Sequence, residues 1–248
     1  MKKTKLNLPR KYEIKESTPE KYHKYKGQNK LSYSQITSWL DPKYKEDYIL
    51  QYIFGLESPS SPWADYGSAV GEYLETQGKK VSDLLNDRDK EILDGIIVKL
   101  STLVDAEYER EIIVERNGYI LQGFIDLYYT ELSDKIKMAN TVDFKTLSLK
   151  NKAAFYASDQ YQQTTLYSRA LELEGEKIKN SGVFGIDRTF EGTFEEPTLH
   201  LSGETKVIPT PYTTERAEKF LKKSDRVAEE ISSLKTTHDK LKLLTFEM

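Results

Sequence analysis

The chain contains no cysteine and only three histidines, His23, His200 and His238. The absence of cysteine excludes disulfide bonds, thiolate nucleophiles, iron-sulfur clusters and cysteine-ligated zinc from these 248 residues. With so few histidines, a histidine-rich metal site is not expected either. Any bound metal is therefore expected to be a hard cation held by oxygen ligands.

Long apolar segments are also missing. No run approaches the roughly 18 to 20 apolar residues needed to cross a bilayer, and the N-terminal sequence MKKTKLNLPRKYEIK has no apolar core like that of a signal peptide. The sequence thus predicts a soluble, cytoplasmic protein with no membrane partner. Because 38% of the 248 residues are hydrophobic, the chain can bury a sizeable core, and one large domain is expected.

Charge is unevenly distributed, although the net charge is only −3. Residues 1–30 carry ten Lys or Arg and three Glu, a balance of +7, which leaves −10 for the rest of the chain. Because lysines near phosphates release counterions on binding, a basic arm on an acidic body indicates a polyanionic partner. A solvated, partly disordered tail is the alternative interpretation.

Apolar patterning predicts helices in the first hundred residues and strands after them. Helices are expected in LSYSQITSWL from Ser32 or Ser34, in 43–54, in YGSAVGEYLETQGK to near Gly78, and within 81–105. Asn117-Gly118 and the sequence SDK then separate three strands of an antiparallel meander. One amphipathic helix is expected in NKAAFYASDQYQQTTLYSRALELEGEK, followed by strands SGVFGID and PTLHLS and a helix over 213–237.

This order of elements predicts a mixed α/β (α+β) fold with a central mixed sheet flanked by helices. The expected organisation is a basic arm at 1–30 and a single domain at 31–248. Within that domain, 31–105 form a helical part and 106–248 form the sheet with its flanking helices.

The strand TVDFKT carries charged residues inside an apolar run. Because strand side chains alternate between faces, Asp143 and Lys145 share one face, and Asp126 lies beside Asp143 if the neighbouring strand pairs in register. Metal-assisted phosphodiester hydrolysis uses such a set, since carboxylates hold Mg²⁺ and an ammonium stabilises developing negative charge. For Asp-x-Lys alone, a salt bridge on a half-exposed sheet is the alternative.

The helix after the meander has an unusually polar face. Tyr156, Gln160, Gln163 and Tyr167 fall at i, i+4, i+7 and i+11 and share one side of a continuous helix. Two amides and two phenols suit hydrogen bonds to phosphates or to catalytic carboxylates. Alternatively, Tyr167 is a core residue and the glutamines are surface residues.

Together these motifs resemble the PD-(D/E)XK nuclease superfamily, specifically its RecB-like exonuclease branch, over about 31–171. That branch has a Gly-x-x-Asp strand, an Asp-Tyr-Lys-Thr strand and a Gln-x-x-x-Tyr helix. The matching residues are Gly123, Asp126, Asp143, Phe144 (for tyrosine), Lys145, Thr146, Gln163 and Tyr167. LSYSQITSWL resembles its Ser-x-Ser-x-aromatic opening, and YGSAVGEYLE resembles its Gly-x-x-x-His-Glu helix.

The resemblance implies a restriction-endonuclease-like core and Mg²⁺- or Mn²⁺-dependent hydrolysis of DNA. Asp126, Asp143 and Lys145 would be catalytic, and the two aspartates would hold the metal together with the main-chain carbonyl of Phe144. The residues expected to position DNA or its phosphates are Ser34, Tyr156, Gln160, Gln163 and Tyr167.

The chain departs from the family at one metal ligand, because Gly71 stands where the family often has histidine. Glu72 is the expected replacement, since related nucleases use a helix glutamate near the same metal, and Glu75 is the alternative. Glu109 or Glu111 either lines the same cleft or is a surface glutamate. The departure keeps a weakened or inactive enzyme open as an interpretation.

The expected function is a Mg²⁺-dependent exonuclease acting on ends of linear DNA in recombination, repair or DNA degradation, as in phage or bacterial exonucleases. A structure-specific endonuclease and an inactive DNA- or partner-binding module are the alternatives. The protein partners left open are a second copy of the chain and a single-strand-binding or recombination protein.

Overall fold

The computed structural model describes residues 13–14, 24–53, 56–57 and 61–246. Most of the predicted basic arm at 1–30 lies outside these residues, so its role stays a prediction. The chain forms two compact units, one from Met1–Ser60, Glu115–Gln122 and Lys222–Met248, and one from Ser61–Val114 and Gly123–Leu221. In the part of the chain that is described, no helix is both long and apolar enough to span a bilayer.

Runs of strands and runs of helices follow one another along the chain. The strands are β1 Glu13–Ile14, β2 Lys24–Tyr25, β3 Gln28–Leu31, β4 Leu56–Glu57, β5 Glu107–Arg116, β6 Tyr119–Ser133, β7 Ile136–Leu147, β8 Ile178–Gly192 and β9 Pro197–Pro209. The helices are α1 Tyr33–Leu40, α2 Pro42–Tyr48, α3 Pro62–Glu75, α4 Asp87–Leu100, α5 Leu149–Tyr156, α6 Gln163–Leu173 and α7 Thr214–Phe246, with a π-helical turn at Ile49–Ile53.

In the first unit, α1 begins as the sequence predicts. The hydroxyl of Ser32 accepts the backbone N–H of Gln35, and the Gln35 side chain accepts the N–H of Ser32, which makes a capping box. Strand β3 pairs in parallel with the start of β6. Arg116 binds Asp225 through two hydrogen bonds of 3.0 and 2.6 Å. These contacts tie the short elements of this unit together.

The second unit contains the main part of a mixed sheet in the order β5, β6, β7, β8, β9. The predicted meander is present: β6 pairs antiparallel with β7, and Asp134 and Lys135 form the turn with positive φ of 51° and 66°. Strand β8 then pairs in parallel with β7 and antiparallel with β9. The predicted mixed α/β class is therefore confirmed.

Helices cover the two faces of this sheet in the second unit. Residues of α3 and α4 form the main apolar core with Leu127, Phe144 and Ile186 of the sheet. On the other face, Thr141 and Ser168 bring their hydroxyls to 3.2 Å and join β7 to α6. Alternation along β7 thus turns Phe144 towards α3 and α4, and Asp143 towards α6.

Several predicted helices have different limits in the structure, and the helix expected over 213–237 continues to Phe246 as α7. The helix expected within 81–105 is limited to α4, which begins after an Asn86 capping box. The single helix expected after the meander is wrong, because 157–162 separate α5 from α6. There, Arg216 donates to the carbonyls of Ser158 (3.0 Å) and Tyr161 (2.7 Å). The guanidinium thus donates to carbonyl groups that would accept hydrogen bonds from backbone N–H groups in a continuous helix.

Candidate functional site

The second unit has an open groove of about 800 Å³ between α3 and the sheet. One face of α3 supplies residues four positions apart, Trp63, Gly67, Gly71 and Glu75. The sheet supplies Asp126, Phe144, Lys145, Thr146 and Arg188. A Cβ at Gly67 would lie 3.1 Å from the Thr146 hydroxyl, so glycine lets the helix approach the strand closely.

Three carboxylates converge beside this groove. Oxygen atoms of Glu75, Glu109 and Asp126 all lie within 4.8 Å of one another. Glu109 has a φ of 53° although it lies in β5. A non-glycine residue in this conformation costs about 1 to 3 kcal/mol, and such strain is common where a side chain must be aimed at a functional site.

Two carboxyl groups of this cluster, those of Asp126 and Glu75, hold their protons unusually tightly. Burial, followed by the charge of Asp143, raises the pKa of Asp126 to about 8. Burial, followed by the charge of Glu109, raises the pKa of Glu75 to about 7. Lys145 opposes both shifts without cancelling them. A cation bound between the carboxylates would relieve this repulsion.

Asp143 is completely buried and belongs to a second part of the site. Its Oδ2 accepts hydrogen bonds from Nζ of Lys145 (2.6 Å) and from the hydroxyl of Tyr161 (2.7 Å). Its Oδ1 is buried and has no hydrogen-bond donor among the described residues. Burial lowers the pKa of Lys145, but Asp143 and Asp126 outweigh it and leave that pKa above its ordinary value.

The pairing of β6 with β7 brings the two predicted aspartates together. Leu127 pairs with Val142, so Asp126 and Asp143 come next along the two strands. The Oδ2 of Asp126 accepts the backbone N–H of Phe144 at 2.7 Å. The two carboxylates, Lys145 and Phe144 therefore meet where the ladder between these strands ends.

The groove also contains the glutamate proposed to replace the family's histidine. Glu72 is half exposed, and its carboxylate lies 2.8 Å from Nζ of Lys80. Glu75, the alternative, joins Asp126 in the acidic group, as does Glu109, whereas Glu111 lies outside that group. The geometry therefore favours Glu75 over Glu72 as a ligand.

The polar residues predicted on one helix face are divided by the break at 157–162. Gln160 lies in the break, so the prediction that it shares a helix face with the others is wrong. Gln163 donates its amide to the Tyr167 hydroxyl, and its Oε1 lies 3.2 Å from the Tyr161 hydroxyl. Tyr156 packs edge-on against Tyr161, with ring centroids 4.9 Å apart.

Tyr167 is buried below Gly123, the glycine of the Gly-x-x-Asp motif. A Cβ at Gly123 would lie only 3.1 Å from Cε1 of Tyr167. Ser34, in contrast, belongs to the first unit, and its hydroxyl lies 3.0 Å from that of Ser32. Tyr167 is thus part of the network that reaches Asp143 through Gln163 and Tyr161.

Tyr161 and Arg188 are site residues that the motifs did not predict. Tyr161 is two residues from Gln163, but its role depends on the helix break. Arg188 lies on β8 and lines the groove, and no short motif includes it. The sequence signal available for Tyr161 was its own polar hydroxyl within the amphipathic pattern DQYQQ.

The donors present fit a divalent cation. The three side chains of the acidic group all offer carboxylate oxygens, which hard cations prefer. The unsatisfied Oδ1 of Asp143 is a buried acceptor that lacks a donor within the described part of the chain. A buried acceptor of this kind is costly unless a ligand satisfies it.

Comparisons with known proteins give a similarity of fold. No protein-family description and no curated protein matches the chain. The solved structure of a "Putative exonuclease" from Eubacterium rectale is similar, with 14% identity, a TM-score of 0.54, and coverage of 96% of this chain and 88% of that chain. SSO0001 shares 14% identity over 84% of this chain and 81% of its own, but its TM-score of 0.40 supports no argument. The chain thus shares a fold with a protein described as an exonuclease.

Proposed function

We propose that the chain is a metal-dependent deoxyribonuclease that acts as an exonuclease on linear DNA. The observation that carries this proposal is a groove lined by Glu75, Asp126 and Lys145, with Glu109 joining the acidic group and the buried Asp143 bound to Lys145. A surface salt bridge would not need a buried aspartate with an unsatisfied oxygen. The shared fold with a protein described as an exonuclease supports the same function.

The metal ligands in this proposal are Asp126, Asp143, Glu75 and the main-chain carbonyl of Phe144, with Glu109 completing the acidic group. Mg²⁺ or Mn²⁺ held there would polarise a phosphate and lower the pKa of a water molecule. Glu72 is less suited because Lys80 neutralises it. DNA is the proposed partner, and its phosphates enter the open groove.

Lys145 supplies positive charge in this mechanism. Because Asp143 and Asp126 keep its pKa above the ordinary value, Lys145 stays protonated at neutral pH. A protonated ammonium cannot remove a proton from water, but it can hold a phosphate oxygen and stabilise developing negative charge. Lys145 is therefore proposed as an electrostatic catalyst.

Tyr161 and Gln163 are proposed as positioning residues. Tyr161 donates to the same Asp143 oxygen that Lys145 contacts, which fixes the orientation of the carboxylate. Oε1 of Gln163 lies 3.2 Å from the Tyr161 hydroxyl, and the Gln163 amide donates to Tyr167, so Gln163 contacts both phenols. This network leaves Oδ1 of Asp143 as the oxygen available to a cation.

The test is incubation of the wild type, Asp126→Asn and Lys145→Ala with linear and covalently closed circular DNA, with Mg²⁺, Mn²⁺ or EDTA. Nucleotides released only from linear DNA are expected, with a loss of at least about a hundredfold in both variants. Asp134→Asn is the matched control, because it removes an exposed turn carboxylate and asparagine tolerates the positive φ. Cleavage of closed circles would instead indicate an endonuclease.

Equal activity in wild type and both site variants would disprove the catalytic assignment. DNA binding that persists in EDTA, with no cleavage products under any condition, would favour an inactive binding module. Binding is measured by gel shift at several salt concentrations, because phosphate contacts give affinities that fall with salt.

A further inference from the structure

Aromatic residues and one arginine border the groove on the side of β8. We call Trp63, Arg188, Phe190 and Phe194 the rim cluster. The Trp63 ring lies 5.1 Å from the rings of both Phe190 and Phe194, measured between centroids. Its indole N–H donates to the Phe194 carbonyl at 3.0 Å. The cluster therefore has a defined geometry, and Trp63 and Arg188 both line the groove.

Arg188 is a half-buried cation on β8 that has no acidic partner among the residues the structure describes. One of its terminal nitrogens donates to the Trp63 carbonyl at 2.9 Å and to the Thr146 hydroxyl at 3.4 Å. Its guanidinium lies over the Trp63 ring, 4.9 Å from the centroid. No carboxylate of the described residues forms an ion pair with it, and burial lowers its pKa. The remaining N–H groups are available for an anion.

The phenylalanines of the rim cluster are unusually exposed. Phe194 is 68% exposed and Phe190 is 48% exposed, although both pack against Trp63. A flat, exposed aromatic surface is suited to stacking on a nucleobase, and alanine substitution of such a residue commonly weakens binding. Arginine above an aromatic ring adds a cation beside the same surface.

We propose that the rim cluster binds one unpaired nucleotide next to the cleavage site, with Arg188 on its phosphate and Phe194 against its base. A cation with no ion pair in the described part of the chain, next to an exposed ring, matches a nucleotide, which has an anion and a flat base. Bases in a duplex are already stacked, so the subsite takes single strands or ends with an unpaired nucleotide. This inference rests on the proposed nuclease function and specifies its substrate.

The affinity for oligonucleotides in EDTA tests the proposed nucleotide subsite without any cleavage. Fluorescence anisotropy is measured with a labelled oligothymidylate, an abasic oligomer of equal length, and a blunt hairpin. Phe194→Ala should weaken oligothymidylate binding at least about fivefold and leave abasic binding unchanged, since stacking needs a base. Phe194→Trp should restore the affinity. Leu132→Ala is the control, because it removes a side chain that is 78% exposed in the β6–β7 hairpin.

Arg188→Gln tests the phosphate contact separately. It should weaken the oligothymidylate and the abasic oligomer equally, and reduce the slope of log affinity against log salt by about 0.7. Equal losses for both ligands with Phe194→Ala, or no loss in either variant, would overturn the proposal. A rim cluster that binds another protein would give the latter result. A wild type that cleaves linear DNA but binds the oligothymidylate no more tightly than the abasic oligomer would overturn this subsite alone.

Discussion

The hydrogen bond from Tyr161 to Asp143 joins two buried side chains at 2.7 Å. Tyr161→Phe keeps the ring but removes the donor from a charged acceptor, so the free energy of unfolding should fall by about 1.5 to 3 kcal/mol. Urea unfolding in EDTA measures this change. If Tyr161 also orients Asp143, the Mg²⁺ concentration for half-maximal cleavage should rise more than KM for DNA. Tyr44→Phe, at an exposed ring, should change neither the free energy of unfolding nor the Mg²⁺ concentration for half-maximal cleavage.

An unchanged metal requirement in Tyr161→Phe would limit the residue to a structural role. The prediction depends on the helix break, because Tyr161 reaches Asp143 from the connection that Arg216 holds through two carbonyl contacts. A residue on a continuous helix would point elsewhere.

The packing of β6 against α6 depends on the absence of a side chain at Gly123. A Cβ there would lie 3.1 Å from Cε1 of Tyr167 and 3.5 Å from Ile112. Gly123→Val should therefore displace Tyr167, lower the free energy of unfolding by about 1 to 3 kcal/mol and reduce cleavage. Gly95→Ala is the matched control, because nothing lies within 4 Å of its Cβ and alanine favours a helix. Full activity in Gly123→Val would show that Tyr167 has no part in the site.

Sequence patterns predicted those features of the helices and strands that depend only on neighbouring residues. The capping residues at Ser32, the turn after Asn117 and the alternation at Asp143 and Lys145 follow from neighbouring residues, and the structure contains them. The helix break could not be predicted, because Arg216, a distant residue, supplies its hydrogen bonds. The same limit applied to Glu109, since its positive φ has no sequence signature in a strand.

At the scale of the second unit, the acidic group is expected to lower the stability of the metal-free protein as pH rises. Burial and neighbouring charges raise the pKa of Asp126 from 3.8 to about 8, and that of Glu75 from 4.5 to about 7. The folded protein therefore binds more protons than the unfolded chain between about pH 4 and about pH 8, and the free energy of unfolding should fall as pH rises through this range. This applies to the metal-free protein, in which Lys145 only partly offsets the repulsion between the carboxylates.

Urea unfolding in EDTA at about pH 5.5 and about pH 8 measures this fall. The amide side chain that Asp126→Asn introduces cannot ionise. The free energy of unfolding of this variant should therefore fall less between the two pH values and exceed that of the wild type at the higher pH. The variant should also lose cleavage. Mn²⁺ should stabilise the wild type more at the higher pH, because it competes with fewer protons, and should stabilise Asp126→Asn little. Stability that rises with pH in EDTA would contradict the charge repulsion, since carboxylates that must lose protons against their neighbours make stability fall as pH rises.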